Sequence, residues 1–291
     1  MIKKLIEKDY EKRINWDDYF NHVFFHLFSK KISLIYYKKE EKDFWIRDDN
    51  IFGEKFVENN KNNIELIING KKSKLVSKYE LKYGENKIEV KVMNKITNFS
   101  YMFSKCISLK NINGLINLDV SNGNDFSYMF SCCSSLSDIK SLENWNVSNG
   151  KNFSHMFYHC LSISDIKPLE NWNVSNGNDF SSIFSCCSSL SDIKPLENWN
   201  VSKGNNFSSF FNECSSLSNL ESFENWNVPN VNDFSNMFFR CKSFSEIKSL
   251  KHWNVSKGNN FSFMFSHCKK LSDIKPLENW NVSNGNNFSA I

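Results

Sequence analysis

Residues 126–152 read FSYMFSCCSSLSDIKSLENWNVSNGKN, and residues 153–179 repeat the same 27-residue pattern. Phe recurs at 99, 126, 153, 180, 207, 234, 261 and 288; Cys at 106, 133, 160, 187, 214, 241 and 268; Val at 120, 147, 174, 201, 228, 255 and 282. Seven complete units succeed one another without an insertion or deletion, and Phe288 opens a truncated eighth. Fixed-period self-similarity of this length marks a repeat solenoid, in which each unit buries its apolar side only against a stacked neighbour.

Within the unit, Phe126, Met129, Phe130 and Cys133 fall at i, i+3, i+4 and i+7, the spacing of one face of a short helix. Asp125 or Asn152, just before each Phe, can cap the first amides of that helix. Leu136, Ile139 and Leu142 come next at spacing three, then Trp145 and Val147, which predicts a short strand bounded by bends. Pro168, Pro195 and Pro276 argue against helix there, and Asn149-Gly150 turns the chain back.

The chain divides into an N-terminal region, residues 1–95, and the repeats, residues 96–291. An apolar stripe over residues 4–30 predicts a helix. Ile32–Tyr37, Glu65–Ile68 and Lys87–Val92 are strand-like, with Asn69-Gly70 as a hairpin turn, so this region is an α+β cap over the first coil. The other end stops at Ile291 with no polar cap, which predicts fraying or cover by another molecule, self-association included.

Charge and cysteine usage narrow the function classes. Residues 1–95 carry 21 Lys/Arg against 16 Asp/Glu, and residues 96–291 carry 15 against 16. The basic excess is small and interleaved with acids, so no nucleic-acid partner is expected. Neither an export signal nor an apolar run of membrane-spanning length is present, which predicts an intracellular protein. Nine cysteines, seven of them at the repeat period, read as reduced and packed. His155, His159 and Cys160 lack a further ligand, so no metal or cofactor is expected.

The recurring Met-Phe-x-x-Cys-x-Ser-Leu of Met129–Leu136, with Asn-Trp-Asn-Val-Ser of Asn144–Ser148, resembles the BspA-like leucine-rich-repeat family over residues 96–291. That resemblance implies a right-handed solenoid and, in the best-known members, attachment at a cell surface. Asn15-Trp16-Asp17-Asp18-Tyr19-Phe20 resembles the opening helix of zinc nucleoside deaminases, but the His-x-Glu and Pro-Cys-x-x-Cys that such enzymes need are missing.

No nucleophile–base pair, metal set or phosphate loop emerges, so the chain reads as a non-enzymatic protein that binds other proteins. The alternative is a surface- or particle-associated structural protein that self-associates through its last coil. Two surfaces are candidates for partner binding. One is the charged ladder of Asp138, Asp165, Asp192 and Asp273 with Lys140, Lys167, Lys194, Lys248 and Lys275. The other is the variable helix side: the column of Tyr101, Tyr128, His155, Ser182, Ser209, Asn236 and Phe263, and the equally variable pairs Tyr158-His159, Asn212-Glu213 and Phe239-Arg240, with Tyr128, His155, Tyr158, Phe239 and Phe263 as the candidate contacts.

Overall fold

The structure is a computed structural model that describes residues 32–38 and 49–291. The helix expected over residues 4–30 lies outside the described residues. No helix among the described residues is long and apolar enough to cross a membrane.

Each 27-residue unit forms one coil, numbered one to seven from Phe99. In coil two, the Asp125 carboxylate accepts the Ser127 N–H at 2.9 Å, an Asx turn that starts the segment. Residues 126–133 do not form the expected helix. Met129, Ser131 and Cys133 donate backwards to the carbonyls of Phe126, Tyr128 and Phe130, each three residues earlier. The alternate amides of Phe126, Tyr128, Phe130 and Cys132 donate sideways to Asn152, which leads into the next coil, and to Ser154, Met156 and Tyr158 within it. A helix needs every amide for its own carbonyl four residues back; here half of them hold the neighbouring coil. Tyr128 and Cys132 take φ of 56° and 62°, which makes each group of four residues a type II turn.

The helix-like spacing has a simple cause. In a four-residue turn repeated once, the first and last positions face the core. Those are Phe126, Met129, Phe130 and Cys133, all fully buried and all at the spacing of a helix face.

The expected strand is likewise replaced. Lys140–Leu142 is a single 3-10 turn, and equivalents recur every 27 residues up to Lys275–Leu277. A spacing of three is the period of a 3-10 helix, and Leu142 donates to Ile139 at 2.9 Å. Pro168 fits at the second position of its turn, where no amide is required. Between consecutive coils the chain makes isolated parallel bridges, from Asn98↔Asp125 to Asn260↔Asn287. The residue at this rung alternates Asn and Asp from Asn98 to Asn260, so carboxylates at ~4.8 Å rung spacing are never adjacent.

Stacking extends through the core. Phe126 lies 5.5 Å from Phe153, and Phe130 5.6 Å from Phe157, with nearly parallel rings. Trp145 and Trp172 stack at 6.3 Å, and the Trp145 indole donates to the Leu115 carbonyl. From Cys133 onward, thiols of the cysteine column donate to a carbonyl of the preceding coil, as Cys160 does to Phe130 at 3.0 Å. In coil five, Phe210 and Phe223 replace smaller residues, and Phe207 turns edge-on to Phe180 at 85° to make room. Ile274 and Val282 of coil seven and Phe288 of the truncated eighth unit are exposed.

The N-terminal strands behave as expected. A five-stranded sheet runs β4-β3-β6-β1-β7, with β1 Ile32–Lys38, β3 Ile64–Ile68, β4 Lys71–Lys74, β6 Gly84–Val92 and β7 Leu109–Asn111. The β3–β4 hairpin turns on Asn69 and Gly70, whose φ of 48° and 84° suit a type I′ turn. Two-residue strands β2 (Asp49–Asn50) and β5 (Lys78–Tyr79) pair separately, and helix α1 spans Glu54–Asn60. Because β7 belongs to coil one, the sheet passes directly into the repeats. Phe52 packs on Phe103 at 5.4 Å, and Gly53 donates to the Met102 carbonyl.

Candidate interaction surface

The coils present the two candidate columns in different places. On the 3-10 side, Asp138, Asp165, Asp192 and Asp273 each accept a backbone N–H at 2.8 Å, from Lys140, Lys167, Lys194 and Lys275 respectively. These aspartates therefore shape the entry to the 3-10 turn, which was not legible as a role in a charged ladder. Their partner lysines are exposed at the side chain, as is Lys248. Lys194 pairs with Glu197 at 3.1 Å and Lys248 with Glu246 at 2.8 Å. Asn146 does the equivalent work at the next bend, accepting the Ser148 N–H at 3.2 Å.

The variable column lies on the other side, over the paired turns. Tyr101, Tyr128, His155, Ser182, Ser209, Asn236 and Phe263 all have φ between 55° and 60°. A second column, four residues on, is also left-handed: Lys105, Cys132, His159, Cys186, Glu213, Arg240 and His267. The third position of a type II turn carries its side chain outward, which explains why these columns tolerate variation.

Along coils one to three the side chains form a continuous stack. The Lys55 ammonium sits 4.4 Å above the Tyr101 ring, Tyr101 lies 4.6 Å from Tyr128, and Tyr128 lies 4.3 Å from His155. Tyr158 tilts against His155 at 5.6 Å. Burial of its ring pushes the His155 pKa below its ordinary value, and the Asp179 carboxylate offsets this only in part. A second cluster covers coils six and seven. Phe239 meets Phe263 at 6.2 Å and His267 at 5.4 Å, both edge-on, and Arg240 lies 4.9 Å over its ring. Arg240 also pairs with Glu213 at 2.9 Å.

The structure thus joins Tyr128, His155 and Tyr158, and separately Phe239 and Phe263. Ser182 and Ser209 separate the two groups, and the Asp and Lys columns lie elsewhere on the coil. Lys55 was not legible as a member of the site, because only tertiary packing brings α1 beside coil one. Arg240 and Glu213 were legible in the sequence as parts of the variable pairs Phe239-Arg240 and Asn212-Glu213, and His267 shares their 27-residue period, the signal that could have identified it.

Among the described residues no group of three or more His, Cys, Asp or Glu side chains is arranged to hold a metal ion. The Cys160 thiol is buried and donates to the Phe130 carbonyl at 3.0 Å in the core. Burial raises the pKa of every thiol in the cysteine column, that of Cys187 to about 12. Cys132 and Cys186 alone among the nine are partly exposed. A brief treatment of the native protein with a thiol-alkylating reagent should therefore add two labels, at Cys132 and Cys186, and all nine thiols should react in denaturant. Peptide mass mapping that finds rapid labelling at Cys160 or Cys214 would contradict the buried column.

A model of the family described as "Mycoplasma protein of unknown function, DUF285" matches residues 73–193 and again residues 178–291. Searches of curated proteins and of solved structures find no match. Both family matches fall on the stacked coils, the first beginning in the strands that lead into them. Together they take in most of the chain, which belongs to the DUF285 family.

Proposed function

We propose that this chain is a non-enzymatic solenoid of the leucine-rich-repeat type, BspA-like in its Met-Phe-x-x-Cys and Asn-Trp-Asn-Val signatures, and that it binds another protein through its paired-turn face. The observation that carries this reading is the choice of residues at the left-handed positions. Coils one to seven hold fourteen such positions, and none is glycine. A non-glycine residue there costs roughly 1–2 kcal/mol relative to right-handed backbone. Asn, which tolerates the conformation, is used once, at Asn236. A sequence shaped only by folding would favour Gly or Asn throughout. Tyr, His, Phe, Arg and Glu at these sites fit a surface kept for what it touches. Aromatic and Arg side chains are also the ones that concentrate binding energy at protein interfaces.

The test uses residues the repeats already accept. Replacing Tyr128, His155, Tyr158, Phe239 and Phe263 by Ser copies what stands at Ser182, Ser209 and Ser185 in the same columns. The variant is expected to keep its circular dichroism spectrum and thermal midpoint and to lose the protein that co-purifies with the parent chain. An unchanged set of bound proteins in a folded variant sinks the proposal.

A further inference from the structure

Charge is divided between the two faces of the coils. In coils six and seven the paired-turn segments, residues 234–243 and 261–270, carry four cations and no acid: Arg240, Lys242, Lys269 and Lys270. All four are exposed, and Arg240 lies 4.9 Å over the ring of Phe239, which meets Phe263 edge-on. The equivalent segments of coils two to four, residues 126–135, 153–162 and 180–189, carry no Asp, Glu, Lys or Arg at all. The 3-10 side has the opposite sign. Over coils two to seven it holds eleven acids against six cations, and coil five has Glu221 and Glu224 with no cation beside them in its own turn. Coil four carries Asp192 and Glu197 against Lys194, which pairs with Glu197 at 3.1 Å, and so extends the acidic area by one coil with a single net negative charge.

We infer that the cationic–aromatic patch of coils six and seven docks on the acidic 3-10 rows of coils four and five in a second copy of the chain. This rests on the paired-turn face being the binding face, and it names the partner. Two features favour a second copy over an unrelated acidic protein. The signs of the two surfaces are complementary, which steers and orients encounter. Their periods also match: the cations form two rows one coil apart, and the acids form rows at the same one-coil step, because both are built from the same 27-residue unit. Any row that finds a partner therefore places the next row in register. The ion pair between Arg240 and Glu213 leaves Lys242, Lys269 and Lys270 as the cations directed outward. The contact joins different surfaces on the two copies, so it is heterologous and extends past a dimer unless it closes into a ring.

Sedimentation velocity of the full chain at low and high salt tests this. Self-association is expected at low salt and should weaken about tenfold or more at high salt, where charge pairing is screened. Lys269→Glu with Lys270→Glu should abolish it, and so should Glu221→Lys with Glu224→Lys; all four positions are exposed, and an unchanged circular dichroism spectrum checks that each variant is folded. Mixing the two variants should restore it, because the unaltered lysine patch of one then meets the unaltered acidic rows of the other. Absence of association at any salt overturns the inference. So does association that survives both salt and charge reversal, which would place the contact on the apolar side chains of coil seven. If the charge variants behave as wild type while the five-serine variant still loses its bound protein, only the identity of the partner has failed.

Discussion

Phe157→Ala is expected to destabilise the repeats by about 3–5 kcal/mol, the cost of emptying a buried aromatic site. Phe157 is fully buried and lies parallel to two rings at once, 5.6 Å from Phe130 in the preceding coil and 5.6 Å from Phe184 in the next. The cavity opens between three coils, and there is no other layer to collapse into it. Stability in a stack of repeats is close to a sum of unit and neighbour terms. Removing one shared ring therefore weakens two interfaces. Equilibrium unfolding in urea, followed by tryptophan fluorescence, should show a lower midpoint. It should also show a first step in which coils two to four open before the rest. A loss below about 1 kcal/mol would mean that the ring stack is not what couples the coils.

Gly114→Ala is expected to be nearly as severe, for a different reason. A Cβ at this position would lie 2.1 Å from the backbone nitrogen of Ser33 and 2.2 Å from its carbonyl oxygen. Both obstacles are main chain in β1, held by its pairing with β6, so neither can swing aside. Overpacking of a flexible core costs about 1–3 kcal/mol, and a rigid backbone clash should reach or exceed the top of that range. The expected result is separation of β1 from coil one. Hydrogen exchange should then expose the Tyr37 amide, which donates to the Ser108 carbonyl at 2.8 Å, while amides of coils four to six keep their protection. Gly70→Ala is the comparison, since a Cβ there meets nothing within 4 Å and only its φ of +84° is strained. If Gly114→Ala proves no worse than Gly70→Ala, coil one does not lie against the β1 backbone.

The three columns of Phe, Cys and Val identified a stack of coils directly, because a side chain that must meet its own copy in the next coil cannot change its place in the unit. The Asn69-Gly70 hairpin and the three strands around it were equally legible, since alternation and turn chemistry are local. Helix and strand within the coil were not. Phe126, Met129, Phe130 and Cys133 fit a helix face and a pair of four-residue turns equally well over so short a run. The two differ in the destination of the Phe126, Tyr128, Phe130 and Cys132 amides, and that lies 26 residues away in the next coil.

The same division applies to the surface. Variation at Tyr128, His155 and Phe263 was visible in the sequence, but not the left-handed backbone that carries them. The Asp138 column has the spacing of half a charged ladder, yet its carboxylates are engaged by the amides two residues ahead. Lys55 had no periodic partner and entered the site only through packing of α1 against coil one. The sequence by itself determined the unit length, the inward-facing residues and the existence of a stack, because burial repeats with the chain. Tertiary structure alone decided how the backbone bends between those residues and which faces the outward side chains share. Both depend on hydrogen bonds and contacts between coils, which no single 27-residue unit can form.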